Sequence, residues 1–266
     1  MTRTLRLLAV LTLLAIFLGR HPGWANDQVQ VPVLAYHRFG PTVADGMTVT
    51  TAVFDAQLQW LKDHGYTVIP LRTLVDYLRG QGQPPPPQAV VITADDAHKS
   101  VYTEMLPLVR KYNIPVTLFI YPSAVSNASY AMTWEQLQAL KQTGLFDMQS
   151  HTFWHPNFKR EKKKLPAPAY QKLVETQLQK PKAILEKRFG TGVDLLAWPF
   201  GIYDDYLESA AQKAGYVAAF SIDRRQAGKS EKLLALPRYL MTNGDGVKGF
   251  EAIISGRAKE KKKVGQ

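Results

Sequence analysis

An aspartate pair, Asp95-Asp96, closes the short apolar run of residues 89–94, and two histidines four residues apart follow at His151 and His155. A catalytic divalent ion takes about three N/O ligands from the protein and keeps another position open for water or substrate. One aspartate and two histidines can supply the ligands, and the second aspartate is left over as a base. Adjacent carboxylates repel each other, and a cation bound to one of them relieves the conflict. Together these residues point to metal-assisted hydrolysis. Each part alone also has an ordinary reading. Asp-Asp after a strand is common as a turn or helix cap, His-x-x-x-His arises by chance on surfaces, and His37 reads by default as a hydrogen-bonded strand end. His64, just before Gly65, suits a helix C-terminus. Trp154, Trp198, Phe200 and Tyr203 could stack on sugar rings or simply fill the core.

The elements that must position these residues alternate. Apolar runs at residues 31–39, 67–69, 89–93, 116–121, 146–150, 195–198 and 216–222 read as strands. Helical spacing falls between them, with Phe54, Leu58 and Leu61 before Gly65, then 71–78, 101–112, a capping box opening at Thr133, 170–189 and 204–214. Residues 81–88, with four consecutive prolines, read as a stiff surface connector. Continuous apolar strands alternating with helices predict an α/β fold with a parallel sheet, either open or closed into a barrel, in a single domain. His37, the Asp95–Asp96 pair, the two histidines and residues 199–203 all follow strands. In parallel barrels that is the face carrying the active site. Three local conditions follow. The chain must turn sharply at Asp95-Asp96, because successive strand residues point to opposite faces. It must make a helical turn at 151–155, and Pro181 must kink or divide its helix.

Bulk properties set the compartment. The 266 residues suffice for one large domain. Arg3 and Arg6 precede an apolar run at 7–18, and small residues at 23–25 suit cleavage, so residues 1–25 read as a signal peptide. The run is shorter than the roughly 20 residues of a spanning helix, and no stable membrane span is expected. The absence of cysteine excludes disulfides, thiolate ligands and a cysteine nucleophile. The formal charge of +11 falls to +8 once Arg3, Arg6 and Arg20 are removed. Such a surplus attracts polyanions, here an anionic cell-envelope polymer rather than nucleic acid. The basic clusters at 159–164 and 259–263 are expected to be a solvated loop and a frayed tail, the tail being residues 257–266.

Several segments, in order, resemble the polysaccharide deacetylases of carbohydrate esterase family 4, the NodB-homology domain. Val33-Leu34-Ala35-Tyr36-His37 is similar to the opening "PVLxYH", and Thr93-Ala94-Asp95-Asp96-Ala97 to "TFDDG". Ser150 to His155 resembles "SHTxxH", Ala197-Trp198-Pro199-Phe200-Gly201 resembles "AYPYG", and Leu236-Pro237-Arg238 resembles the late "LPR". The likeness runs from about residue 31 to 241, and it implies a distorted parallel (β/α) barrel over residues 26–256. It implies Asp96, His151 and His155 as ligands of a divalent ion, most often zinc, with cobalt or nickel as alternatives. Asp95 is implied as general base and a backbone N–H near Phe200 as oxyanion donor. His37 is implied as general acid, as in the branch acting on β-1,6-linked N-acetylglucosamine polymers. Arg238 is assigned to orient Asp95, since Ala197 stands where other branches carry an arginine. Ala94, Ala97 and His98 depart from the family's Phe, Gly and Tyr but leave each of these groups in place.

The resulting expectation is an exported, periplasmic or secreted, metal-dependent deacetylase that hydrolyses acetamides of a polysaccharide or cell-wall glycan. Trp154, Trp198, Phe200 and Tyr203 are expected at the substrate. An O-acetyl esterase and a disabled glycan-binding protein are the alternatives.

Overall fold

The computed structural model describes residues 29–257. The expected signal peptide, and the basic tail from residue 258, lie outside the described residues. Seven parallel strands form the main sheet: β1 (Val33–Tyr36), β5 (Ala89–Ala94), β6 (Val116–Ile120), β7 (Phe146–Ser150), β8 (Leu195–Ala197), β9 (Ala218–Phe220) and β10 (Tyr239–Leu240). Their spatial order is β10-β1-β5-β6-β7-β8-β9, and β4 (Thr67–Val68) pairs with the first residues of β5. The sheet curls until its ends meet. Leu236 N–H donates to Ala219 O and Ser221 N–H to Leu236 O, both at 2.8 Å, and three residues later Tyr239 pairs with Leu34 of β1. The fold is thus the expected distorted (β/α) barrel.

Most of these strands are apolar on both faces because both are covered, whereas β7 carries Asp147 and Gln149 at its inner positions. Val33, Val91, Phe119, Leu195 and Phe220 share one cluster with Leu71 and Leu74 of α2 (Leu71–Leu78). Leu34, Ile92, Leu118 and Met148 face the other way. They meet α1 (Thr51–Asp63), α3 (Leu106–Tyr112), α4 (Trp134–Gln142) and α8 (Gly246–Ile254). Leu196, Trp198 and Ala219 continue that outer layer under α5 (Phe158–Lys164), α6 (Ala167–Phe189) and α7 (Asp205–Lys213). The period-two alternation therefore persists, but outside β7 it mostly sorts one apolar side chain from another.

Four local expectations need correction. The basic segment at 159–164 is helix α5, not a loop. Asn157 caps it by accepting from Arg160 N–H at 3.0 Å, and Lys162, Lys163 and Lys164 occupy the last turn, where the helix dipole favours cations. Helix α6 runs undivided through Pro181. The helix expected at 101–112 begins as a wider turn, with Leu106 N–H reaching Val101 O, next to Pro107, which has no N–H to donate. The run at 31–39 breaks at His37, beyond which β2 (Arg38–Gly40) pairs with β3 (Thr48–Thr50) in a small separate sheet.

Candidate metal and catalytic site

Strand parity explains which side chains converge. His37 continues the inward series 33, 35, 37, Asp95 the series 91, 93, 95, and His151 the series 147, 149, 151. Asp95 N–H still bonds Tyr36 O at 2.9 Å and His151 N–H bonds Ile120 O at 2.8 Å, so each side chain projects from the last ladder position. Asp96 would by parity face outward. Its φ of 72°, followed by 53° at Ala97, turns the chain back towards the site. The Cβ of Ala97 is thus accommodated in a left-handed position, where glycine would be unstrained. The buried Ala97 fixes the turn further, its carbonyl accepting from Met132 N–H at 3.0 Å.

The second histidine arrives by a different route from the helical turn expected. Residues 151–157 are irregular, with left-handed φ values at Thr152 and His155. Thr152 Oγ1 accepts from His155 N–H at 3.2 Å, and Gln177 Oε1 accepts from both Phe153 and Trp154 N–H at 3.1 and 3.0 Å. Gln177 is buried on the inner face of α6, four residues before Pro181. Sequence reading missed this residue. Its one signal was a glutamine at the helical spacing of apolar Tyr170, Val174 and Leu178.

Asp96 Oδ1 lies 3.6 Å from His151 Nε2 and 3.8 Å from His155 Nε2. These separations exceed a hydrogen bond. They are close to the roughly 3.4 Å expected between atoms each about 2.1 Å from one tetrahedral ion. Asp96 Oδ1 is buried without a hydrogen-bond partner, and a cation would satisfy it. His151 Nδ1 lies 2.8 Å from Ala197 O, which places the proton there and turns the Nε2 lone pair into the site. Burial first, and His151 second, lower the His155 imidazole to about 4, leaving it neutral and able to ligate. Asp96, His151 and His155 could therefore hold a metal ion.

Asp95 stands beside this group in a different environment. Arg238 Nη1 and Nη2 donate to its two oxygens at 2.8 and 2.7 Å, a bidentate clamp between two buried side chains. Burial alone would raise the carboxyl. Arg238, with help from His151, instead holds it far below the usual carboxylate range. Asp95 Oδ2 lies 3.9 Å from His151 Nε2 and 4.0 Å from His37 Nε2. Burial lowers the His37 imidazole, opposed in part by Asp95 and Asp96, and its Nδ1 has no partner among the described residues.

The aromatic residues divide. Phe200 is half exposed, has φ 57° and sets its ring edge-on to His155 at 4.6 Å. Trp154 is also exposed. Trp198, expected at the substrate, is instead 1% exposed, packs on Phe158 and donates its indole N–H to Leu234 O. Parity places it in the outer layer, opposite the site. Tyr203 is half-buried, with its hydroxyl on Asp223. Tyr121 was not anticipated. Its ring lies 5.4 Å from that of His155, and its hydroxyl is 2.7 Å from that of Tyr130. Tyr130 is parallel to His98, whose Nδ1 accepts from Ser100.

A curled parallel barrel bearing an Asp-His-His cluster and a clamped carboxylate at its strand ends defines an α/β protein built for hydrolytic chemistry. The polysaccharide deacetylase profile matches residues 82–219. The chain belongs to the polysaccharide deacetylase family. It is 26% identical over 211 residues to the poly-β-1,6-N-acetyl-D-glucosamine N-deacetylase of Staphylococcus epidermidis, covering 78% of this chain and 71% of that protein. A Staphylococcus aureus protein of the same name is equally similar. The structure of BC0361, a polysaccharide deacetylase from Bacillus cereus, superposes with a TM-score of 0.71 at 25% identity, covering 85% of this chain and 69% of that one. In fold alone, the chain resembles the Streptococcus pyogenes deacetylase PplD in complex with acetate. That match has a TM-score of 0.75 at 23% identity and covers 87% of this chain and 99% of that one.

Proposed function

We propose that this chain is a metal-dependent N-deacetylase that hydrolyses the acetamide of N-acetylglucosamine units in a polysaccharide. The observation that carries the reading is the buried, unpartnered Asp96 Oδ1 within 3.8 Å of two imidazole nitrogens, beside an ionised Asp95. A divalent ion held by Asp96, His151 and His155, with zinc the first candidate, would polarise the acetamide carbonyl and acidify water. Asp95 Oδ2, the oxygen nearest both His37 and His151, takes the proton of the attacking water. Arg238 keeps that carboxylate ionised and fixed in direction. His37 donates a proton to the nitrogen as the carbon–nitrogen bond breaks, because an unprotonated amine is a poor leaving group. The proton taken by Asp95 can then restore His37 across the 4.0 Å gap. The Phe200 N–H, which meets no backbone carbonyl among the described residues, is the donor to the developing oxyanion. Trp154 flanks the sugar.

The reading extends to one catalytic domain spanning residues 26–256, exported by means of the apolar N-terminal run. No helix among the described residues is long and apolar enough to cross a membrane. The similarity to poly-β-1,6-N-acetyl-D-glucosamine N-deacetylases favours this amide over an O-acetyl ester. The test is acetate release from N-acetylglucosamine oligomers after metal is stripped and restored, with Asp95→Asn alongside. The variant should bind metal as the parent does and lose about 10²–10⁴-fold in rate. Undiminished turnover would remove Asp95 as the base.

A further inference from the structure

Helix α5 begins three residues after His155 and carries Lys159, Arg160, Lys162, Lys163 and Lys164 against the single acid Glu161. All five cations are exposed. Lys162 pairs with Asp204 and Lys164 with Glu161, which leaves Arg160 and Lys163 without an acidic partner among the described residues. The helix is held in place because Phe158 is fully buried against Trp198. Arg160 is five residues from His155, so its Cα lies at most about 18 Å from that of the histidine even if the chain were straight. A second cation approaches from α6, where Lys180 Nζ sits 3.9 Å from the Phe153 ring centroid. The exposed Trp154 thus lies in sequence between Phe153, which Lys180 covers, and the cationic helix α5.

The reaction proposed above changes the substrate's charge. Each turnover converts a neutral acetamide into an amine, and aliphatic amines of the α-amino type titrate near 7.7–8.0. Substrate units are neutral, whereas product units are substantially cationic at neutral pH. We infer that α5, together with Lys180, makes this site select against stretches of chain that are already deacetylated. Arg160 and Lys163 are then specificity residues: they repel a neighbouring glucosaminium, speed departure of the product and leave the polymer partly acetylated. The inference rests on the N-deacetylase reading.

The test compares kcat/KM for a fully N-acetylated glucosamine oligomer with that for the same oligomer carrying free amines beside one remaining acetamide. The parent protein should prefer the first, and the preference should shrink as salt rises. Arg160→Glu combined with Lys163→Glu should reduce the preference by about two- to threefold. That is the scale for unit charges roughly 10 Å apart in water with a Debye length of about 8 Å. Arg160→Gln with Lys163→Gln should fall between, and circular dichroism checks that each variant folds. An unchanged preference in both variants overturns the inference. So does an unchanged preference accompanied by weaker retention on inorganic polyphosphate, which would assign the helix to an anionic polymer. Absence of acetate from either oligomer with metal present instead defeats the deacetylase reading itself.

Discussion

Arg238 lies 143 residues beyond Asp95 in the chain, yet it donates to both carboxylate oxygens at 2.8 and 2.7 Å. It also donates to Thr93 Oγ1 at 3.0 Å and to Ser221 O at 3.1 Å, so the guanidinium is held by the ends of two strands, β5 and β9. Its position follows from closure of the barrel, since residues 236 and 239 are bonded to β9 and β1 on either side of it.

Arg238→Met should cost about 3–5 kcal/mol, because it strands a buried carboxylate. In the parent, Asp95 is held low in the folded state. It therefore contributes stability above its unfolded value of about 3.9 that is lost as pH falls towards the folded one. Without the guanidinium, burial raises the carboxyl against only the pull of His151 and His37, so the deficit should be largest at neutral pH and narrow below about pH 4. The acid limb of kcat/KM should move upward in pH. Urea unfolding at several pH values checks the first point, and a deficit of equal size throughout would contradict it.

Added zinc should raise the melting temperature of the parent protein. At a free concentration a hundred times Kd, the stabilisation is about 2.7 kcal/mol, or several degrees for a domain of this size. His155→Ala should abolish most of the shift, whereas His37→Ala should keep it. Calorimetric scans with and without the ion distinguish the two.

Gly201→Ala addresses the turn that carries the Phe200 N–H. Gly201 has φ 65°, and a Cβ there would lie 2.5 Å from Ile222 Cγ1 and 3.0 Å from Ile222 N. The turn must shift, and a displacement near 1 Å at a reacting centre costs on the order of 10²-fold. The loss should appear mainly in kcat, with metal-induced stabilisation intact.

Trp154 and Trp198 should behave oppositely. Trp154→Ala removes an exposed ring and should raise KM with little loss of stability. Trp198→Ala empties a core position and should cost about 3–5 kcal/mol. Steady-state kinetics paired with denaturant midpoints separate the two effects, and a KM change confined to Trp198→Ala would reverse the assignment.

Much was legible before any fold was built. Apolar runs broken by turn residues located the strands, because a sheet covered on both faces demands them. The rule that polar residues at strand ends meet on one face then gathered His37, Asp95, His151 and His155. The errors were local. Helix α5 was read as a loop because its lysines mask any apolar periodicity, although Asn157 was a usable cap signal. Trp198 was placed at the substrate because its neighbours in sequence are there, and alternation along the strand was not applied to it. Gln177 gave only a polar letter in an apolar series, since its partners are backbone groups more than twenty residues away.

The sequence alone determined the chemical inventory: two carboxylates, the imidazoles and the arginine, with His37, Asp95 and His151 directly after strands. Local propensity and residue type carry that much. Tertiary structure decided which of them share a cavity, that Asp96 turns inward through a left-handed backbone, and that Arg238 grips Asp95. These depend on curling the sheet until its first and last strands are joined, a condition satisfied by residues too distant in sequence to signal one another.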